Sequence, residues 1–138
     1  NVDSKKVFVA MKFSDDMRKV CDESIKTACE ECGFSASTVD EIEHNNGITD
    51  EIITAIKQSR FVIADFTDGN QGAYWEAGFA QGLGREVIRC AKKDWFDKDN
   101  KQLHFDIRHY NTILWLNHED LKKRLINRIR ATIDGAKS

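Results

Sequence analysis

Residues 59–90 read SRFVIADFTDGNQGAYWEAGFAQGLGREVIRC. FVIADF at 61–66 is apolar on both of its faces, as in a parallel strand covered by helices on both sides. TDGNQG at 67–72 is polar, and Gly69 and Gly72 there permit a tight turn and close approach of a ligand to the backbone. Residues 73–83 read as a helix that stops at Gly84. Residues 86–90 return to a short strand. Strand, loop, helix and strand make a parallel crossover unit. Glu76 falls in the first turn of this expected helix, where free N–H groups and the helix dipole favour an ionised carboxylate. Gly78, Ala80 and Gly82 are read as small residues for close packing of helix on sheet.

The same alternation continues on both sides. Residues 6–13, KVFVAMKF, form a second strand that is apolar on both faces. Residues 15–32 are helical, with Met17, Val20, Cys21, Ile25, Ala28 and Cys32 at steps of three and four, and Gly33 ends the helix as a left-handed cap. A weaker strand at 34–39 and a polar loop at 40–47 follow. Thr49 is placed to cap a helix whose inner face is Ile52, Ile53 and Ile56. Residues 91–110 are irregular, rich in Asp, Lys and aromatics. A final strand at 112–116 leads to Asn117, which caps an amphipathic helix carrying Leu121, Leu125, Ile129 and Ile133. The expected fold is α/β: a three-layer, doubly wound, parallel five-stranded sheet of order 2-1-3-4-5.

The chain has 138 residues, which suits a single domain over 1–138. It starts at Asn1, so a domain excised from a longer protein is expected. Net charge is −2, which gives no reason to expect bulk nucleic acid as partner. No apolar run reaches about 18 residues, so no membrane span is expected. No signal peptide is visible, and a cytoplasmic location is expected. Cys29 and Cys32 are spaced CxxC, which allows a redox pair or half a zinc site. Redox pairs sit at helix starts and this one sits at a helix end, while zinc needs about four ligands. Plain helix packing is the favoured reading, and no metal and no cofactor are expected.

In doubly wound sheets, ligands bind beyond the carboxyl ends of the strands at the topological switch point. With order 2-1-3 that point lies between the first and third strands. The loops there are residues 12–16 and 65–72. Asp65 and Asp68 can accept hydrogen bonds from sugar hydroxyls or a base amine, and Asn70 can donate and accept. Tyr74 and Trp75 offer aromatic surface for a base. Phe13 lies on the first loop, where Lys12 is either a phosphate contact or a solvated strand end. Asp68 and Asn70 are equally residues that turns favour. An ionised Glu76 is suited to attack or stabilise an oxocarbenium-like sugar centre at C1′, and less suited to act as a general acid.

The segment FVIADFTDGNQGAYWEAGFAQGLG resembles the nucleoside 2-deoxyribosyltransferases and the nucleotide N-glycosidases. These share an apolar strand ending in an acid, a glycine-bearing loop, then an aromatic followed by E-x-G-x-A. The same pattern is similar to TIR-like bacterial domains, some of which cleave NAD. The resemblance covers about a quarter of the chain, and it implies that Glu76 is the catalytic residue. It implies a covalent glycosyl-enzyme or a stabilised oxocarbenium ion, then transfer to another base or to water. It also implies a homo-oligomer, since related transferases complete their sites across subunits. Two positions depart from the transferase pattern: Asn70 stands where an acid is usual, and Ile52 where an Asp is expected. Residues 103–111, LHFDIRHYN, resemble a segment of the TIR-like group. Arg108 there is a candidate phosphate contact or the partner of Asp106, and His104 or His109 could move a proton.

Three functions follow from these residues. One is an enzyme acting on the N-glycosidic bond of a nucleoside or nucleotide. Another is a TIR-like NAD hydrolase in signalling or antiphage defence. The third is a non-catalytic nucleotide-sensing or assembly module.

Overall fold

The computed structural model describes residues 4–38, 50–99 and 111–138. β1 (Lys6–Ala10) is followed by α1 (Asp15–Val20), which runs through a π-helical turn at Cys21–Ile25 into α2 (Lys26–Glu31). Then come β2 (Ser35–Thr38), α3 (Asp50–Gln58) and β3 (Phe61–Asp65). A 3₁₀ turn at Thr67–Gly69 leads into α4 (Gln71–Gly82), β4 (Glu86–Lys92) and α5 (Lys93–Asp99). β5 (Ile113–Trp115) and α6 (His118–Thr132) close the order. The strands pair in parallel as β2-β1-β3-β4-β5, the doubly wound order read from the sequence.

Alternation along the strands divides the core into two layers. Val7, Val9, Phe61, Ile63, Ile88, Cys90, Ile113 and Trp115 face α1, α2 and α6. Phe8, Ala10, Val62 and Ala64 face α3 and α4. The first layer is filled by large side chains: Ile25, Leu121, Leu125 and Ile129 are all fully buried. On the other side, α4 presents Ala73, Ala77 and Ala80 to the sheet. All four cysteines are buried thiols outside any disulfide, Cys21, Cys29 and Cys32 within the first layer, and burial raises the Cys29 thiol far above its ordinary range. Among the described residues, no helix is long and apolar enough to cross a membrane.

Local signals set the helix ends. Ser14 Oγ accepts from Met17 N–H at 3.2 Å and opens α1. Asn117 Oδ1 accepts from Asp120 N–H at 2.9 Å, and Asp120 Oδ2 accepts from Leu116 N–H at 2.9 Å. This reciprocal pair fixes the start of α6. Gly33 and Gly84 both take positive φ after α2 and α4.

Several boundaries differ from expectation. β1 stops at Ala10 rather than running on to residue 13, which frees Lys12 and Phe13 for the crevice. α4 begins at Gln71, two residues early, because Asn70 rather than the loop's end is its cap. Residues 93–99, read as irregular, form α5; Lys93 and Asp97 pair one turn apart at 2.9 Å. Gly78 and Gly82 do not pack on the sheet at all: both are exposed, and a Cβ at either would meet nothing within 4 Å. The loop at 40–47, Thr49 and the cluster His104, Asp106, Arg108, His109 and Tyr110 lie outside the described residues.

Candidate functional site

The crevice between β1 and β3 is bounded by the loop that follows β1 and the turn that follows β3. That turn is built around Asp65, which is fully buried. Asp65 Oδ1 accepts from Thr67 N–H at 2.9 Å. Its Oδ2 accepts from Trp115 Nε1–H at 2.9 Å and from the Cys90 thiol at 3.3 Å. Burial raises the Asp65 pKa, against the opposing pull of these three donors. Thr67 Oγ1 in turn accepts from Lys92 N–H at 3.0 Å. Asp65 therefore faces inward and holds the turn against β4 and β5; it presents no exposed surface to a ligand.

Past this anchor the chain turns sharply. Asp68 and Gly69 both have positive φ, 64° and 67°. Asp68 is a non-glycine residue in the left-handed region, which Asp tolerates better than most residues. Its carboxylate pairs with Lys12 Nζ at 2.8 Å, across the crevice from the β1 loop. Both side chains are about half exposed, at 41% for Lys12 and 49% for Asp68. Asn70 caps α4: its Oδ1 accepts from Ala73 N–H at 2.8 Å. Gly72 serves that cap, since a Cβ there would stand 3.3 Å from Asn70 Oδ1. The cap uses the side-chain carbonyl of Asn70 and not its amide N–H groups.

Glu76 lies in the second turn of α4, not the first. It is the sixth residue of the helix, roughly 7–8 Å along the axis from its start, beyond the reach of most of the dipole's effect. It sits on the inward side with Ala73, Ala77 and Ala80, and is 5% exposed. Burial alone pushes its pKa up from 4.5 to about 7. The expectation of a firmly ionised carboxylate is thus corrected. Near neutral pH the group exists in both forms, which gives it the range of a general acid as well as of a nucleophile.

The other sequence candidates divide. Tyr74 is half-buried and its ring stacks on Phe66, with centroids 4.5 Å apart and planes 4° from parallel. Phe13 is 45% exposed and lines a cavity of about 190 Å³ with Met11, Arg18, Asp22, Lys26 and Thr38. This cavity opens at the carboxyl ends of β1 and β2. Arg108 lies outside the described residues. Ile52 is buried in the core with Ile56. Thr67, Cys90 and Trp115 were not singled out from the sequence. A buried indole N–H needs an acceptor, and Trp115 in an expected strand was the one available signal. Among the described residues, no group of three or more His, Cys, Asp or Glu is placed to hold a metal ion.

No family model matches the chain, and no curated protein matches it. Solved structures do share its fold. One is a CMP N-glycosidase of Clostridium botulinum, BcmB, at 17% identity and a TM-score of 0.59, covering 88% of this chain and 98% of that one. Another is the TIR domains of the activated Roq1 resistosome that directly recognises the pathogen effector XopQ, at 18% identity and a TM-score of 0.52, covering 94% and 72%. At these identities the likeness is one of fold.

Proposed function

We propose that the chain breaks the N-glycosidic bond of a nucleoside, a nucleotide or NAD, with Glu76 acting at C1′. One observation carries this reading. A carboxyl is buried on the inner side of the helix that follows the β3 turn, with a pKa pushed up to about 7. The fold shared with a CMP N-glycosidase supports it.

In this reading the Glu76 carboxylate adds to C1′, or stabilises positive charge there, as the C1′–N bond breaks. The base leaves with the bonding electron pair. A neutral base must gain a proton, and a cationic nicotinamide need not. Water or a second base then takes C1′, and the carboxylate is released. Lys12 and Asp68, paired across the crevice, are the groups that a phosphate or a ribose hydroxyl would engage. Asn70 contributes its amide N–H and Tyr74 the edge of its ring. Asp65 acts as a positioning residue through the turn.

The test is a product screen of nucleosides, nucleotides and NAD with wild type and Glu76→Ala. Base release is expected from wild type, falling at least about 10³-fold in the variant while its far-UV circular dichroism is unchanged. Release of nicotinamide from NAD alone would assign the TIR-like activity. A specific observation favours the rival, a module that binds without turnover: Asp65 and the Asn70 carbonyl are already occupied within the chain. Saturable binding with no release from any substrate would establish that rival and sink the enzymatic reading.

A further inference from the structure

The sheet has two edges, and the chain treats them differently. At β5, side chains of α6 reach the outer strand: Arg124 donates to Leu114 O, and Arg128 to Asn111 O at 3.1 Å. Charged side chains laid along an edge keep other strands off it. β2, at the opposite edge, reads SAST and carries neither charge nor proline. Ser35 N–H donates to Lys5 O at 2.8 Å, toward β1. Peptide groups of successive residues in a strand point to opposite sides, so those of Ala36 point away from the sheet. Among the described residues, none bonds to them.

The α3 face of β2 is open as well. Phe34 and Ala36 pack into the layer shared with α1 and α2, which turns Ser35 and Ser37 toward α3. α3 buries Ile52 and Ile56 in the layer with Phe8 and Val62, and β2 adds no residue to that layer. Between β2 and α3 lies a groove of about 530 Å³, with Ser35 and Ser37 on one wall and Asp50, Thr54 and Gln58 on the other. Its ends differ in charge. α3 is the crossover between parallel strands and runs against them, so Asp50 and Glu51 stand at the carboxyl end of the groove. Lys6, the register partner of Ser35, stands at the amino end. We propose that this edge receives an extended peptide of a partner protein, which pairs with Ala36, lays alternate side chains into the groove and sets a lysine or arginine against Asp50.

The chemistry of the edge selects this occupant. An outward N–H and C=O on one residue are matched by another extended backbone, and the walls beside them read its alternate side chains. Carboxylates at the end of the groove repel phosphates and attract a cation, which favours a basic peptide over a nucleic acid. β2 offers four residues, about 13 Å of edge. The contact is correspondingly small, and a Kd of about 0.1–1 mM is expected for an isolated strand. The inference rests on the edge and the groove and not on the reaction proposed for Glu76.

A capped hexapeptide of alternating valine and threonine with one arginine, titrated into the full chain and followed by NMR, tests it. The Ala36 amide should shift and its hydrogen exchange should slow. N-methyl groups on one alternate set of the peptide's nitrogens should weaken binding more than about tenfold, and on the other set leave it within about twofold. Ala36→Pro should abolish binding with a melting temperature within about 3 °C of wild type, because its N–H takes no part in the β1 ladder. Asp50→Lys should weaken the arginine peptide more than about tenfold and strengthen one with glutamate in its place. No shift at about 5 mM peptide would overturn the proposal. So would equal losses with both N-methylated sets, or Asp50→Lys binding both peptides alike. Wild type dimerising in sedimentation, with Ala36→Pro monomeric, would also overturn it and assign the edge to a second copy.

Discussion

α6 and α4 cover opposite faces of one sheet and are built on different terms. α6 runs for 15 residues, buries Leu121, Leu125 and Ile129 completely and carries charges outward. α4 runs for 12, buries three alanines and one carboxyl, and shows solvent aromatics and glycines. Most of the largest fully buried side chains are on the α6 side, while Phe8, Ile52 and Ile56 fill the layer that α4 shares with α3. On the α4 side, small inner residues leave room for a buried acid. The contrast teaches that a helix can be indispensable to a sheet's topology while contributing modestly to its stability.

The sharpest way to break this comparison is to cut the core at each helix. Leu125→Ala should cost about 3–5 kcal/mol, read from the urea unfolding midpoint, because it leaves a cavity where no water can enter. A loss under about 1 kcal/mol would mean that α6 does not carry the stability assigned to it.

The next effect comes from Glu76 and depends on pH. Its folded pKa of about 7 lies above the ordinary 4.5, so between those values the native state binds more protons than the unfolded one. Its contribution to stability is greatest below pH 4.5, declines as pH rises, and levels off above 7, with a total drop of up to about 3 kcal/mol. Glu76→Gln keeps the shape of the neutral form. It should match wild type in acid and exceed it in stability at pH 8, measured by urea unfolding across the range. Equal stabilities at both ends would show that the carboxyl is solvated and not strained by burial.

The smallest effect is expected at the mouth of the crevice. A double-mutant cycle on Lys12→Ala and Asp68→Ala should give a coupling below about 1 kcal/mol, because both side chains are about half exposed. A much larger coupling would mean a fixed structural bridge, unable to open for a ligand.

The strand order and the layer architecture were legible because β1 and β3 are apolar on both faces and most of the expected helices carry a cap or a terminal glycine. Residues 93–99 escaped because KDWFDKD has no helical apolar stripe; what marks it is a charge pair one turn apart. The sequence marks Glu76, but Asn70 starts the helix earlier than the loop composition suggests, which moves Glu76 about half a turn further in. Its protonation was misjudged for a related reason: the dipole argument is local, and burial is a property of the assembled layers. The small residues at Gly78 and Gly82 carry the period of a helix but not the direction of the face they occupy. The partners of Asp65 lie 25 and 50 residues away at Cys90 and Trp115, and no spacing rule connects them.

Those partners turn Asp65 into a mechanical joint. Trp115 belongs to the edge strand β5, and Thr67 to the turn at the crevice, yet one carboxylate grips both. The tie spans two strand spacings, so the edge strand and the turn that carries Asp68 share one fixed point with no helix between them.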